Sequence, residues 1–272
     1  MLNLTATRVL QSQLLAKGFD TGAVDGRVGP KTRAAVARAL EALQPATSED
    51  WRRLPQSRQL VLCLQTLCRD AGIDPGALDG WWGPQTEYAT GRLKVLQDTG
   101  ALPEPWRDRI PVPANPHQWP LERMEALTAF YGEPGKNLVL LDLPYPLRLS
   151  WDTATRVTRT QCHAKVRDSL GRVLGAVLSH YGAERIQELR LDLYGGGFNL
   201  RQKRGGTSMS THAWGIAFDF DPVRNKLEWN RDRAAFARPE YDAWWQCWED
   251  EGWVSLGRAR NFDWMHVQAA RV

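Results

Sequence analysis

Two short segments concentrate the side chains that could do metal or acid–base chemistry. The first reads Ser210-Thr-His212-Ala-Trp-Gly215-Ile-Ala-Phe-Asp219, and the second reads Asp263-Trp-Met-His266-Val-Gln268. With Asp221 just beyond, they offer two imidazoles and up to three carboxylates. A catalytic zinc site takes three protein ligands and leaves a fourth position open for water; two imidazoles and one carboxylate meet that need. Neither segment has His-Glu-x-x-His spacing, so the ligands would not share one helix. On a regular strand Asp219 and Asp221 point the same way, and spacing alone leaves the choice between them open. Asp263 and His266 are three apart and face opposite ways on a strand. They meet only if Asp263 lies in the preceding turn or on a bulge. Ser210 is expected to hydrogen-bond within its loop, because no Gly-x-Ser-x-Gly elbow surrounds it. His117, His163 and His180 read as structural.

The elements that must position these residues read as α+β. Residues 161–181 place Val166, Leu170, Val173, Leu174, Val177 and Leu178 at helical spacing, ending at Gly182. Residues 186–194 alternate through Leu189, Leu191 and Leu193 as a strand would, and a Gly195-Gly196-Gly197 turn follows. Residues 215–221 alternate again, with Ile216, Phe218 and Phe220 on one face. Tyr241, Trp244, Trp245 and Trp248 give a helix over 240–253 an apolar face expected to pack in the core.

The N-terminal third contains a duplication. The stretch from Gly18 to Thr32 recurs from Gly72 to Thr86 at an ungapped offset of 54, as Asp-Gly-x-x-Gly-Pro-x-Thr. Apolar helical stretches flank each copy, so the unit is helix, glycine-rich loop, helix. Asp-Gly makes a tight turn, and Gly-Pro starts the next helix, where proline is welcome. Trp81 and Trp82 could stack on sugars or pack inward. Residues 103–120 are proline-rich and read as an extended linker, held against a domain surface by its aromatic residues.

The repeats, at about 5–45 and 58–100, resemble peptidoglycan-binding repeats. The two chemical segments resemble the family of zinc D-Ala-D-Ala carboxypeptidases and L-alanyl-D-glutamate endopeptidases. That family's signature is Ser-x-His-x-x-Gly-x-Ala-x-Asp, followed by Asp or Glu-x-x-His, and every fixed position is filled here. A looser likeness spans residues 140–268. The resemblance implies one Zn2+ held by His212, Asp219 and His266. It implies Asp263 as the general base that takes a proton from the attacking water and returns it to the leaving amine. Arg201, or Arg204 nearby, would stabilise the oxyanion or hold a substrate carboxylate. The expected architecture is an all-α module of two repeats (1–102), the linker (103–120), and an α+β peptidase domain with a small antiparallel sheet (121–272). The expected function is cleavage of bacterial peptidoglycan peptides. The alternatives are a D-alanyl-D-alanine carboxypeptidase or dipeptidase, and a non-catalytic wall-binding phage protein.

Composition sets outer limits. The hydrophobic fraction is 43%, the charged fraction 24% and the formal net charge +4, with a sequence pI of about 9.0. No Lys/Arg block resembles a nucleic-acid arm, so no nucleic-acid partner is expected. No apolar run approaches the roughly 18 residues of a membrane span. The first eighteen residues lack the basic start and continuous apolar core of a signal peptide. The expectation is therefore a protein made in a bacterial cytoplasm that reaches the wall after release, as phage endolysins do. Cys63, Cys68, Cys162 and Cys247 form no CxxC pair and read as reduced thiols. With no apolar seam left over, a monomer is expected.

Overall fold

The computed structural model describes residues 2–47, 50–102, 112–203 and 208–272. Arg204 and residues 103–111 of the proline-rich segment lie outside the described residues. The chain divides into two compact units, one N-terminal and one built mainly from residue 112 onward.

The N-terminal unit is four helices: α1 (Leu4–Ala16), α2 (Pro30–Leu43), α3 (Gln56–Asp70) and α4 (Pro84–Thr99). Asn3 caps α1 by accepting from the Ala6 N–H at 2.8 Å. Pro30 and Pro84 open α2 and α4, as Gly-Pro predicts. Leu10, Leu14, Val36 and Leu40 of the first repeat share one core with Leu60, Leu64, Leu67 and Leu93 of the second. Each such side chain contributes about 1.5–3 kcal/mol by leaving water.

A buried glutamine in the first helix of each repeat organises the loop. Gln11 donates to Asp25, the Arg27 carbonyl and Thr32, and accepts from the Gly26 N–H. Gln65 does the same with Asp79, the Trp81 carbonyl, Thr86 and Gly80. The motif residues thus shape the loop. Of the two tryptophans, Trp82 packs against the core. Trp81 is exposed, with the Arg58 guanidinium 4.7 Å from its ring centroid.

The second unit is α+β. Its strands are β1 (Leu138–Leu149), β2 (Asp152–His163), β3 (Leu193–Gly196), β4 (Ala217–Phe220), β5 (Val254–Ser255) and β6 (His266–Gln268). Its helices are α5 (Met124–Tyr131), α6 (Arg167–Leu189), α7 (Asp242–Asp250) and α8 (Leu256–Arg260). The sheet runs β2-β1-β3-β4-β6-β5. The expected small antiparallel sheet is corrected on two counts: it has six strands, and β1 pairs with β3 in parallel. The parallel pair arises because α6 carries the chain back across the sheet before β3 begins. No local sequence pattern marks the hairpin β1–β2. Its register shifts between Asp142 and Leu147, across Pro144 and Pro146, which cannot donate to a ladder.

A second correction concerns residues 186–194. Gly182 leaves helical geometry (φ 69°, ψ 164°), as expected, but the chain resumes helix to Leu189. Ile186 and Leu189, three apart, are buried on one helical face, and only Leu193 of the expected alternation lies in a strand. The tryptophans of α7 are core, as expected. Phe220 meets Trp244 edge-on at 5.0 Å and lies 5.7 Å from Trp248. All four cysteines are free, with Cys63, Cys68 and Cys162 buried.

The described part of the proline-rich segment is a strap on this unit. Trp119 is buried, and its N–H donates to the Asn115 side chain at 2.7 Å. Leu121 bridges Arg271 in parallel, with the Glu122 N–H donating to the Arg271 carbonyl at 2.8 Å. Among the described residues, no helix is long and apolar enough to cross a membrane.

Candidate metal centre

Strand pairing brings the two segments together. β4 lies antiparallel to β6 with Asp219 directly opposite His266. His212 arrives from a 3-10 turn, Thr211–Trp214, just before β4. Ser210 caps that turn, its side chain accepting from the His212 N–H at 3.4 Å. Gly215 ends it at φ 68°, where its N–H returns to the His212 carbonyl at 3.0 Å. A side chain there would be strained, and its Cβ would stand 2.8 Å from Leu138 Cδ2.

The backbone separates Asp219 from Asp221. Asp221 sits at φ 42°, outside the strand, fully buried and paired with Arg224. Asp219 faces the histidines: its Oδ1 lies 3.3 Å from His212 Nε2 and 3.0 Å from His266 Nδ1. One donor atom from each of the three residues falls within 4.8 Å of the others.

The outer ring nitrogens decide what this cluster favours. His212 Nδ1 lies 2.7 Å from the Gly197 carbonyl, and His266 Nε2 lies 3.0 Å from Gln268 Oε1. Both oxygens only accept, so both outer nitrogens carry hydrogen. In the neutral rings, two lone pairs and a carboxylate oxygen then converge on one place, an arrangement that could hold a cation. The donor set fits a divalent metal bound by nitrogen and oxygen. Electrostatics agree in direction. Burial pulls His266 down, yet Asp219 beside it, with help from Asp263, raises it above the ordinary imidazole value. Burial likewise pushes the Asp219 carboxyl up, but His212 and His266 outweigh it and hold it far below the usual range.

Asp263 occupies the turn before β6 at φ 53°, where the His266 N–H donates to its carbonyl at 3.1 Å. This is the turn placement that lets residues three apart share one side. A cleft of about 470 Å³ opens over the cluster and is bordered by Asp263 and Arg201. Arg201 is half-buried; its guanidinium donates to the Gln202 carbonyl at 3.2 Å, and its own carbonyl accepts from the Ser210 N–H. The structure therefore gathers His212, Asp219, His266, Asp263 and Arg201 around one opening. Lys203, Arg260, Glu122 and Gln268 also line it, with Leu227, Leu256, Phe262 and Met265 as an apolar wall. Sequence reasoning assigned none of these a role. Gln268 had a signal, two residues from His266 on the same strand face; Glu122 had none.

The chain matches no protein family, no curated protein and no solved structure with which it was compared.

Proposed function

We propose that this chain is a zinc-dependent peptidase that hydrolyses amide bonds in the peptides of bacterial peptidoglycan, with its N-terminal repeats holding the wall. One observation carries the reading: two imidazoles and a carboxylate converge on one place in an open cleft, with a further carboxylate, Asp263, on its border. His212, Asp219 and His266 would hold the metal, which when bound supplies a Lewis acid that activates water and polarises the scissile carbonyl. Asp263 takes the proton of the attacking water and delivers it to the leaving amine. Arg201 faces the charge that develops on the carbonyl oxygen, a contribution of about 3–4 kcal/mol for one well-placed donor. The choice of peptidoglycan peptide rests on the sequence signature and the duplicated repeats. Tethering by those repeats raises the local substrate concentration, so modest affinity in each suffices.

The test is the mass spectrum of fragments released from purified peptidoglycan by the zinc-loaded protein and by Asp263→Ala. New amino termini at a single internal bond, absent with the variant, are expected. Release of only terminal D-alanine selects the carboxypeptidase instead. Wall binding without any new ends overturns the enzyme reading.

A further inference from the structure

The side chains behind His266 form a chain that leads away from the cleft. Gln268 is fully buried in β6 and touches four groups. Its Nε2 donates to Glu122 Oε2 at 3.0 Å and to the Ala270 carbonyl at 3.3 Å. Its Oε1 accepts from Thr211 Oγ1 at 3.2 Å and meets His266 Nε2 at 3.0 Å. A carboxylate and a carbonyl only accept, so they fix which end of the amide faces them. The amide oxygen must then face His266, whose Nε2 must carry hydrogen, and Nδ1, 3.0 Å from the Asp219 carboxylate, is the nitrogen left to take a metal in place of the hydrogen that carboxylate would otherwise accept. A Gln268 turned the other way would aim its NH2 at Nε2, favour hydrogen on Nδ1, and block that nitrogen as a ligand.

Glu122, with the Ala270 carbonyl beside it, therefore sets the amide. Its other oxygen is paired with Lys203 on the cleft border. Its backbone is held by the bridge between Leu121 and Arg271, directly after the strap. We infer that Gln268 and Glu122 are positioning residues: Glu122 orients the Gln268 amide, which holds His266 in the tautomer that a metal requires. This rests on the metal reading above, and it adds a residue 146 positions from its partner in sequence. Outer hydrogen bonds of this kind hold the tautomer and orientation of a ligating imidazole, and losing one costs about 10- to 100-fold in metal affinity.

The experiment uses the full chain in two measurements. The first is 15N NMR of the His266 ring in the zinc-loaded wild type. Zinc on Nδ1 with hydrogen on Nε2 is expected; zinc on Nε2 overturns the inference whatever the variants do. The second is zinc affinity by chelator competition for Gln268→Leu, Glu122→Leu and Glu122→Gln. Gln268→Leu is expected to bind about 10- to 100-fold more weakly, with Glu122→Leu weakened in the same direction. Glu122→Gln should recover most of the wild-type affinity, because its amide oxygen still accepts from Gln268. Folded Gln268→Leu protein with wild-type affinity overturns the inference, as does a Glu122→Gln no better than Glu122→Leu. A wild type that binds no zinc defeats the metal reading alone, and the His266 Nε2–H signal, compared between wild type and Glu122→Leu, then decides whether the two residues orient the imidazole: an unchanged signal overturns the inference.

Discussion

Gln11 and Gln65, 54 residues apart, make the same four loop hydrogen bonds in the two repeats, each with its amide oxygen on a loop glycine N–H. Both side chains are buried, so each bond replaces water that cannot reach the site. Truncating either to alanine leaves loop donors and acceptors without partners, at about 1–3 kcal/mol. Gln65→Ala should cost more than Gln11→Ala, because the Gly80 N–H it strands is buried while Gly26 is only partly so. Urea unfolding of the full chain, followed through the helical signal, checks both the loss and its order.

Asp263 and His266 should separate binding from turnover. His266→Ala removes a donor and is expected to abolish stoichiometric zinc binding in equilibrium dialysis. Asp263→Asn keeps the three donors and should retain zinc while losing about 100- to 10,000-fold in turnover. A variant at 263 that cleaves at the wild-type rate would remove the general-base role.

Gly197 is a steric requirement with a chemical consequence. A Cβ there would stand 2.4 Å from Tyr194 Oη and 2.7 Å from Phe218 Cε1. Neither neighbour yields easily: Tyr194 is bonded to Thr160 at 2.8 Å, and Phe218 is buried. The backbone must move, carrying its carbonyl away from His212 Nδ1. Gly197→Ala should destabilise the protein by about 1–3 kcal/mol and weaken zinc about 10- to 100-fold. Thermal melting and chelator competition on one sample read both effects.

Glu251 ties the strap to its unit. Its carboxylate receives Arg172 at 2.7 and 2.8 Å and lies 2.7 Å from His117 Nε2. Arg172 above all, with His117, holds it down at about 2 against an ordinary 4.5. A depressed carboxyl stabilises the fold fully above about pH 4.5, and the contribution fades as pH falls toward 2; here it is about 1–3 kcal/mol. Glu251→Gln should therefore unfold at lower urea than wild type at pH 6, and the gap should narrow steadily toward pH 3.

The legible parts of the molecule were those compressed into short stretches. His212 and Asp219 fall within ten residues of Ser210, so a turn and one strand suffice to bring them together. Loop chemistry announced the repeats, whereas the matching Gln11 and Gln65 sit inside leucine-rich helices, where spacing gives no sign of their role. The hairpin stayed hidden for a physical reason. β2 exposes residues on both faces over most of its length, so no alternation marks it. β1 carries two prolines, which argue against a strand. Glu122 joins the site only through tertiary contact, and no local pattern reveals that.

The sheet ends differently on its two sides, and this bears on how the molecule behaves in a crowd. An open strand edge is a template on which another chain can add itself. At one edge β5 is two residues long, too short to recruit a neighbour. At the other, the long β2 places Asp152, Arg156 and Arg159 in solvent, so an incoming strand would have to strip water from charges. The same exposure that concealed β2 in the sequence discourages stacking into aggregates.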